Sequence, residues 1–255
     1  MSLIDDKWRI LFDKYRIERE IEKHGRFYIT ADQIREVKEP RLMTKFDTRE
    51  SLPRVFGKKI SILPVSRGGY VLGEFDLYQD FPEIPSDIKR VTSAKIPDYF
   101  ESLDLHDIRS EASAINVMSI TGILDDFLGE DRMVQTVSGR MGSGNFEFYV
   151  SDYQKSEPIE KKPLIQVQNS QVEIDGGFEN ENVFTLIEGK NVVHSNFLIR
   201  QLYYPARLWA EKIHKSRSVR CLWCIRIIFS ACWNMNLRTC ATTIRCSWCR
   251  SEITA

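Results

Sequence analysis

Two β-rich runs, "PLIQVQNSQVEIDGG" (163–177) and "NVFTLIEGK" (182–190), stand either side of a short acidic stretch. Val, Ile, Phe and Thr favour strands, whereas Gly, Asn and Asp favour turns. A hairpin through "GGFENEN" is the simplest way to place both runs, and it dictates where their polar ends fall. Asp175 lies at the end of the first run, and Glu188 and Lys190 end the second. Residues i and i+2 of a strand point to the same face. Glu188 and Lys190 therefore share a face, with Gly189 turned the other way, and the hairpin brings Asp175 opposite Glu188.

Such a pair carries a chemical demand. Adjacent carboxylates repel and raise one another's pKa unless a cation neutralises them. Oxygen ligands favour a hard divalent ion such as magnesium. A lysine beside that ion polarises an attacking water or steadies charge developing on a phosphate. The reaction class that needs this set is phosphodiester hydrolysis. The acid-x-Lys triplet alone is a weak signal, because an exposed hairpin with solvated charges produces it too. Its context is stronger: five β-forming residues precede it and helices flank the strands.

The rest of the chain supports an α/β class, with a mixed central sheet flanked by helices. Residues 3–24 show helical spacing of apolar residues, with Gly25 as the stop. "TADQIREVKE" (30–39) predicts a short helix capped by Thr30 and ended by Pro40. Residues 59–81 predict two strands joined at Arg67-Gly68-Gly69. The proline-dotted segment 82–97 reads as a connection, and the spacing predicts one long helix over 104–129, closed by Gly129. "SGRMGSGNFEFYV" (138–150) reads as a glycine-rich turn feeding a strand, and 195–215 as a helix that Pro205 kinks or interrupts. The order from about 105 to 215 is helix, three strands, helix. Three regions follow: a helical and hairpin part, 1–100, as a DNA-contacting candidate; a core, 101–218; and a tail, 219–255.

Composition excludes little. The 255 residues are 42% hydrophobic and 28% charged, with formal net charge zero, which is ordinary for a globular chain. A neutral total does not argue for nucleic acid, nor against a local basic groove. No run of about eighteen apolar residues suggests a membrane span, and the first thirty residues are too charged for a secretory signal. The expected compartment is the cytoplasm.

Asp175 on one strand and Glu188-x-Lys190 on the next, between helices, resemble the active site of the PD-(D/E)XK nucleases. "EPRLMTKFD", "ISILPVSRGGYVLGEF", "ILDDFLGE", "TVSGRMGSGNFEF" and "FLIRQLYYPARLW" together are similar to bacterial type II restriction endonucleases, over roughly residues 25–215. The resemblance implies a PD-(D/E)XK core and magnesium-dependent cleavage of double-stranded DNA at a short specific sequence. It places Asp175 and Glu188 as metal ligands and Lys190 beside the attacking water and scissile phosphate. It also implies a homodimer acting on a symmetric site, and a cognate DNA methyltransferase as functional partner. A repair nuclease on the same core is an alternative.

Glu111, in the long helix, is a candidate for an accessory carboxylate, and Gln201 is a candidate for facing the site. For both, a solvated helix residue is the preferred reading. The loop at 138–144, with Arg140 as its charge, is a candidate phosphate cradle. Arg41, Lys45, Arg49 and Arg67 are candidates for contacting DNA, although scattered surface charge accounts for them as well. The four histidines, His24, His106, His194 and His214, have no metal-ligand spacing.

All six cysteines fall after Arg220. "CLWC" (221–224) and "CSWC" (246–249) approach a zinc-ribbon spacing, which makes a non-catalytic, zinc-dependent DNA-binding protein the second function class. So abrupt a change in composition is also what a shifted reading frame produces. Across Trp223 to Phe229 a shifted frame permits "VYTDNIFS", and across Trp233 to Arg238 it permits "EYEFE". Both are strand-like, as the restriction enzymes carry after their last core helix. The preferred expectation is a frameshifted tail after about Ser218 that replaces the last strands and leaves an inactive or poorly folded chain.

Overall fold

The computed structural model describes residues 3–57, 59–80, 91–92, 96–97, 99–103, 108, 110–151, 162–190, 194–213, 218–225, 238–239 and 243–245. For 91–92, 218–225, 238–239 and 243–245 it describes the backbone. In chain order the elements are α1 (Leu3–Tyr15), α2 (Ile17–His24), β1 (Phe27–Thr30), α3 (Ala31–Arg35), α4 (Pro40–Met43), β2 (Ser61–Ser66), β3 (Gly69–Gly73), β4 (Tyr78–Asp80) and β5 (Val91–Thr92). There follow α5 (Glu111–Ile120), α6 (Ile123–Leu128), β6 (Val134–Gly142), β7 (Asn145–Tyr149), β8 (Leu164–Gln168), β9 (Gln171–Glu179), β10 (Val183–Lys190), β11 (Asn196–Leu198), α7 (Arg200–Lys212), β12 (Ser218–Ile225), β13 (Arg238–Thr239) and β14 (Thr243–Arg245). Among the described residues no helix is long and apolar enough to cross a membrane.

The chain divides into two compact units, neither continuous in sequence. One comprises Met1–Asp80, Met141–Val172 and Ser195–Arg200; the other comprises Phe81–Arg140, Glu173–His194 and Gln201–Ala255.

In the first unit a sheet of order β1-β3-β2-β8-β7 is packed by the N-terminal helices. Trp8 is fully buried, its ring 4.8 Å from that of Phe56 and its Nε1 donating to the Met43 carbonyl at 2.9 Å. The periodicity of 3–24 is helical as expected, but Arg16 takes a left-handed backbone (φ 51°) and splits it into α1 and α2. Thr30 caps α3 as expected: its Oγ1 accepts from Gln33 N at 3.2 Å while its own N–H donates to Gln33 Oε1 at 2.8 Å. That reciprocal pair satisfies two donors otherwise left open at a helix start. Asn196 fastens β11: its Oδ1 accepts from Arg49 N at 2.8 Å and its Nδ2 donates to both Glu50 oxygens at 2.9 Å.

In the second unit the sheet order is β14-β12-β10-β9-β6. β9 and β10 are antiparallel, β10 and β12 parallel, and β12 and β14 antiparallel. This is a mixed sheet between helices. Alternation along β10 sorts its side chains onto two faces. Val183 and Ile187 join the apolar cluster of α5 and α6 around Ile115, Met118 and Leu124. Phe184 meets the ring of Trp209 on α7 at 5.0 Å. The long helix expected over 104–129 is two helices where it is described, because Gly122 turns left-handed (φ 71°) and α6 starts anew; residues 104–107 and 109 lie outside the described residues.

Two expectations need correction. Residues 138–142 belong to strand β6, and the turn is confined to Ser143-Gly144. There Ser143 N donates to Ser170 O at 2.7 Å and Gly144 O accepts from Asn169 N at 2.9 Å, so these two groups serve the chain's own backbone. The start of the helix expected at 195 is instead β11, which pairs with β4, and Pro205 sits inside α7. Pro205 has no N–H to return to the Gln201 carbonyl one turn earlier. His106 and His214, together with the connection over 82–90 and 93–95, lie outside the described residues.

Candidate active site

The β9–β10 hairpin forms in the expected register, from Phe184 opposite Glu179 to Ile187 opposite Gly176. The Asn180 side chain shapes its turn, with Oδ1 accepting from Asn182 N at 2.9 Å and Val183 N at 3.0 Å. The next step of that register sets Asp175 against Glu188. Here the Asp175 carboxylate takes over from the strand ladder, and its Oδ2 accepts the Gly189 N–H at 2.7 Å.

Glu188 is a buried carboxylate, 5% exposed. One oxygen, Oε1, receives two donors: Lys190 Nζ at 2.6 Å and Gln201 Nε2 at 2.8 Å. Gln201 thus reaches the site from α7, and its own Oε1 is buried with no hydrogen-bond partner. Glu111, the first residue of α5, approaches from the other face. A Cβ built on Gly189 would stand 3.2 Å from Glu111 Cβ and 3.7 Å from Asp175 Oδ2.

Glycines make this approach possible. A Cβ at Gly176 would stand 3.5 Å from Ile115 Cγ2 on α5, and one at Gly177 would stand 2.9 Å from Val137 Cβ on β6. The Gly-Gly pair after Asp175 therefore lets a helix and a neighbouring strand's side chain close onto β9 beside the carboxylate. Electrostatics follow from that closeness. Burial pushes the Asp175 carboxyl above its usual range, the Gly189 N–H and the Lys190 charge pull it down, and Glu111 and Glu173 add to the rise.

Asp175, Glu188, Lys190, Gln201 and Glu111 thus come together at one end of β10. Arg140 sits on β6 and is paired with Glu173, Nε to Oε1 at 3.2 Å, both side chains more than half exposed. Arg41, Lys45 and Arg67 belong to the other unit and are exposed, Arg67 in the β2–β3 turn. Arg49 of that unit is tied into its fold: its guanidinium donates to Asp80 Oδ1 at 2.8 Å and Tyr78 O at 2.9 Å. Two features went unread in the sequence: the Gly189 N–H as a donor to Asp175, and Glu173 as a neighbouring charge. The Glu-Gly-Lys triplet carries the first signal, since glycine there leaves the backbone open to approach.

The donor set of Asp175, Glu188 and the unpartnered Gln201 Oε1 is all oxygen, which suits a hard divalent cation. Among the described residues no group of three or more His, Cys, Asp or Glu side chains is arranged to hold a metal. Magnesium commonly takes only one or two carboxylates, with waters and a substrate phosphate completing its shell, so this donor set fits it. Of the cysteines proposed for a zinc module, Cys246 and Cys249, and the side chains of Cys221 and Cys224, lie outside the described residues.

The fold defines a mixed α/β protein with a polar cluster at the end of a central strand. Residues 73–230, more than half of the chain, match a domain of unknown function, DUF6997, and the chain belongs to that family. Residues 5–72 match a second domain of unknown function, DUF6996. No curated protein and no solved structure matches the chain.

Proposed function

We propose that this chain is a magnesium-dependent endonuclease of the PD-(D/E)XK type, acting on double-stranded DNA as a type II restriction enzyme. The observation that carries the proposal is the convergence on β10 of two carboxylates from adjacent strands, the Lys190 ammonium and the Gln201 amide. The succession α5/α6, β6, β9, β10, α7, β12 around one mixed sheet agrees with such a core.

In this mechanism Asp175 and Glu188 would hold the cation, and Gln201 fixes the rotamer of Glu188. A bound magnesium ion lowers the pKa of a water and offsets charge on the phosphate. Lys190 steadies the non-bridging phosphate oxygens as the water oxygen bonds to phosphorus, the bond to the leaving sugar oxygen breaks, and the proton given up by the water is balanced by one taken up from solvent by that sugar oxygen. Glu111 adds negative charge beside Asp175 and would strengthen the pull on the cation.

The tail bears on which chain is active. The family match runs to residue 230, and β12 at 218–225 lies parallel beside β10. Both favour a reading frame that is continuous past Ser218, and the activity is proposed for the chain as it stands. The codons from Ser218 onward test this: an open, strand-like alternative frame beginning there would restore the frameshifted reading.

The functional test is digestion of plasmid DNA with the purified chain in magnesium. Discrete fragments with common ends are expected, and none from Lys190→Ala. Random nicking would turn the proposal toward a repair nuclease. No cleavage, with zinc bound and lost on mutating Cys221 or Cys249, would favour the DNA-binding module.

A further inference from the structure

Lys190 and Glu188 form an unusually committed pair for a catalytic strand end. Nζ lies 2.6 Å from Oε1, with the two side chains 21% and 7% exposed. Charges taken out of water are held by close pairing and hydrogen bonds. Gln201 adds a second donor to the same oxygen at 2.8 Å, so Oε1 is held by two hydrogen atoms aimed at it. That oxygen belongs to the carboxylate proposed as a metal ligand.

An ammonium and a divalent ion cannot both lie against one carboxylate oxygen without repelling each other. Lys190 is the last residue of β10 and carries a flexible four-carbon stem, so its head group can move while the strand stays in register.

We infer that Lys190 is an internal counter-ion of Glu188 that competes with the divalent cation, so that cation binding releases the lysine toward the substrate phosphate. One residue then couples metal loading to substrate capture. The inference rests on the nuclease proposal for its metal, but it concerns a contact that the proposal does not require. A Lys190 that pointed at solvent or phosphate throughout would serve the chemistry equally.

Calcium is a suitable probe because binding is read without turnover. Calcium is titrated by calorimetry into the full chain and into Lys190→Met, and the wild-type crystal structure is solved with calcium bound. Lys190→Met is expected to bind about tenfold or more tightly, because the substitution removes a positive charge that lies within a few ångströms of the cation. It should also gain more in melting temperature from calcium than wild type does. In the crystal, Nζ should leave hydrogen-bond reach of Glu188. Calcium bound between Asp175 and Glu188 with Nζ still on Oε1, or equal affinities in the two proteins, overturns the exchange and leaves the nuclease proposal standing. No binding of calcium or magnesium to either protein overturns both. Should Lys190→Met fail to fold, the wild-type crystal structure alone decides.

Discussion

The Gly189 backbone donates its N–H to Asp175 Oδ2 at 2.7 Å, so the carboxylate of one strand is held by the residue between Glu188 and Lys190 of the next. The glycine is required for space as well. A Cβ there would stand 3.2 Å from Glu111 Cβ and 3.3 Å from Glu111 Cγ, tighter than ordinary contact. In Gly189→Ala the Glu111 side chain, or α5 with it, must give by a few tenths of an ångström. We expect it to lower stability by about 1–3 kcal/mol, as overpacking does. Urea unfolding measures this, and an unchanged midpoint would show that α5 does not close on the site.

Asp175 should cost the fold stability at neutral pH. Burial raises its carboxyl above the usual range. A group with a raised folded pKa holds its proton more tightly folded than unfolded. Stability therefore falls as pH rises from the unfolded value through the folded one, and the loss persists above it. Below about pH 4 both states are protonated and the difference vanishes. Asp175→Asn keeps the shape without the charge. It is expected to melt at a higher temperature than wild type at pH 7.5, with the advantage gone near pH 3.5. A variant less stable at neutral pH would mean that the carboxylate stabilises the fold.

Gln201 is the hydrogen-bond partner of a buried charge. Hydrogen bonds to charged groups contribute about 1.5–3 kcal/mol, and Gln201→Ala is expected to lose an amount in that range by chemical denaturation. Gln201→Glu should lose more, because it sets a second carboxylate against Glu188 Oε1. Equal stability of Gln201→Glu and wild type would argue that the amide does not bear on Glu188.

Much of the site was legible because it depends on strand parity. Once "NVFTLIEGK" is a strand paired with the run ending at Asp175, the faces of Glu188 and Lys190 follow from a period of two. Gln201 and Glu111 were legible only as candidates, since their places depend on how α7 and α5 pack against the sheet. The interleaving of the units was not legible. β6 and β9 each change unit along their length, and β7 and β8 pair in the other sheet, whereas a linear reading takes 138–150 as the first strand of the core. The helix breaks were hidden as well. Arg16 adopts φ 51° although arginine has no preference for that region, and the apolar spacing runs through it undisturbed.

The decisive measurement is conversion of supercoiled plasmid to nicked and linear forms by the purified chain, with and without magnesium, beside Asp175→Ala and Lys190→Ala variants of native circular dichroism. Cleavage that needs magnesium and falls by roughly 10²-fold or more in each variant is expected, the scale on which a single group stabilising transition-state charge acts. Absence of cleavage in magnesium, or cleavage that survives both substitutions, would contradict the assignment of a nuclease centre to β9 and β10.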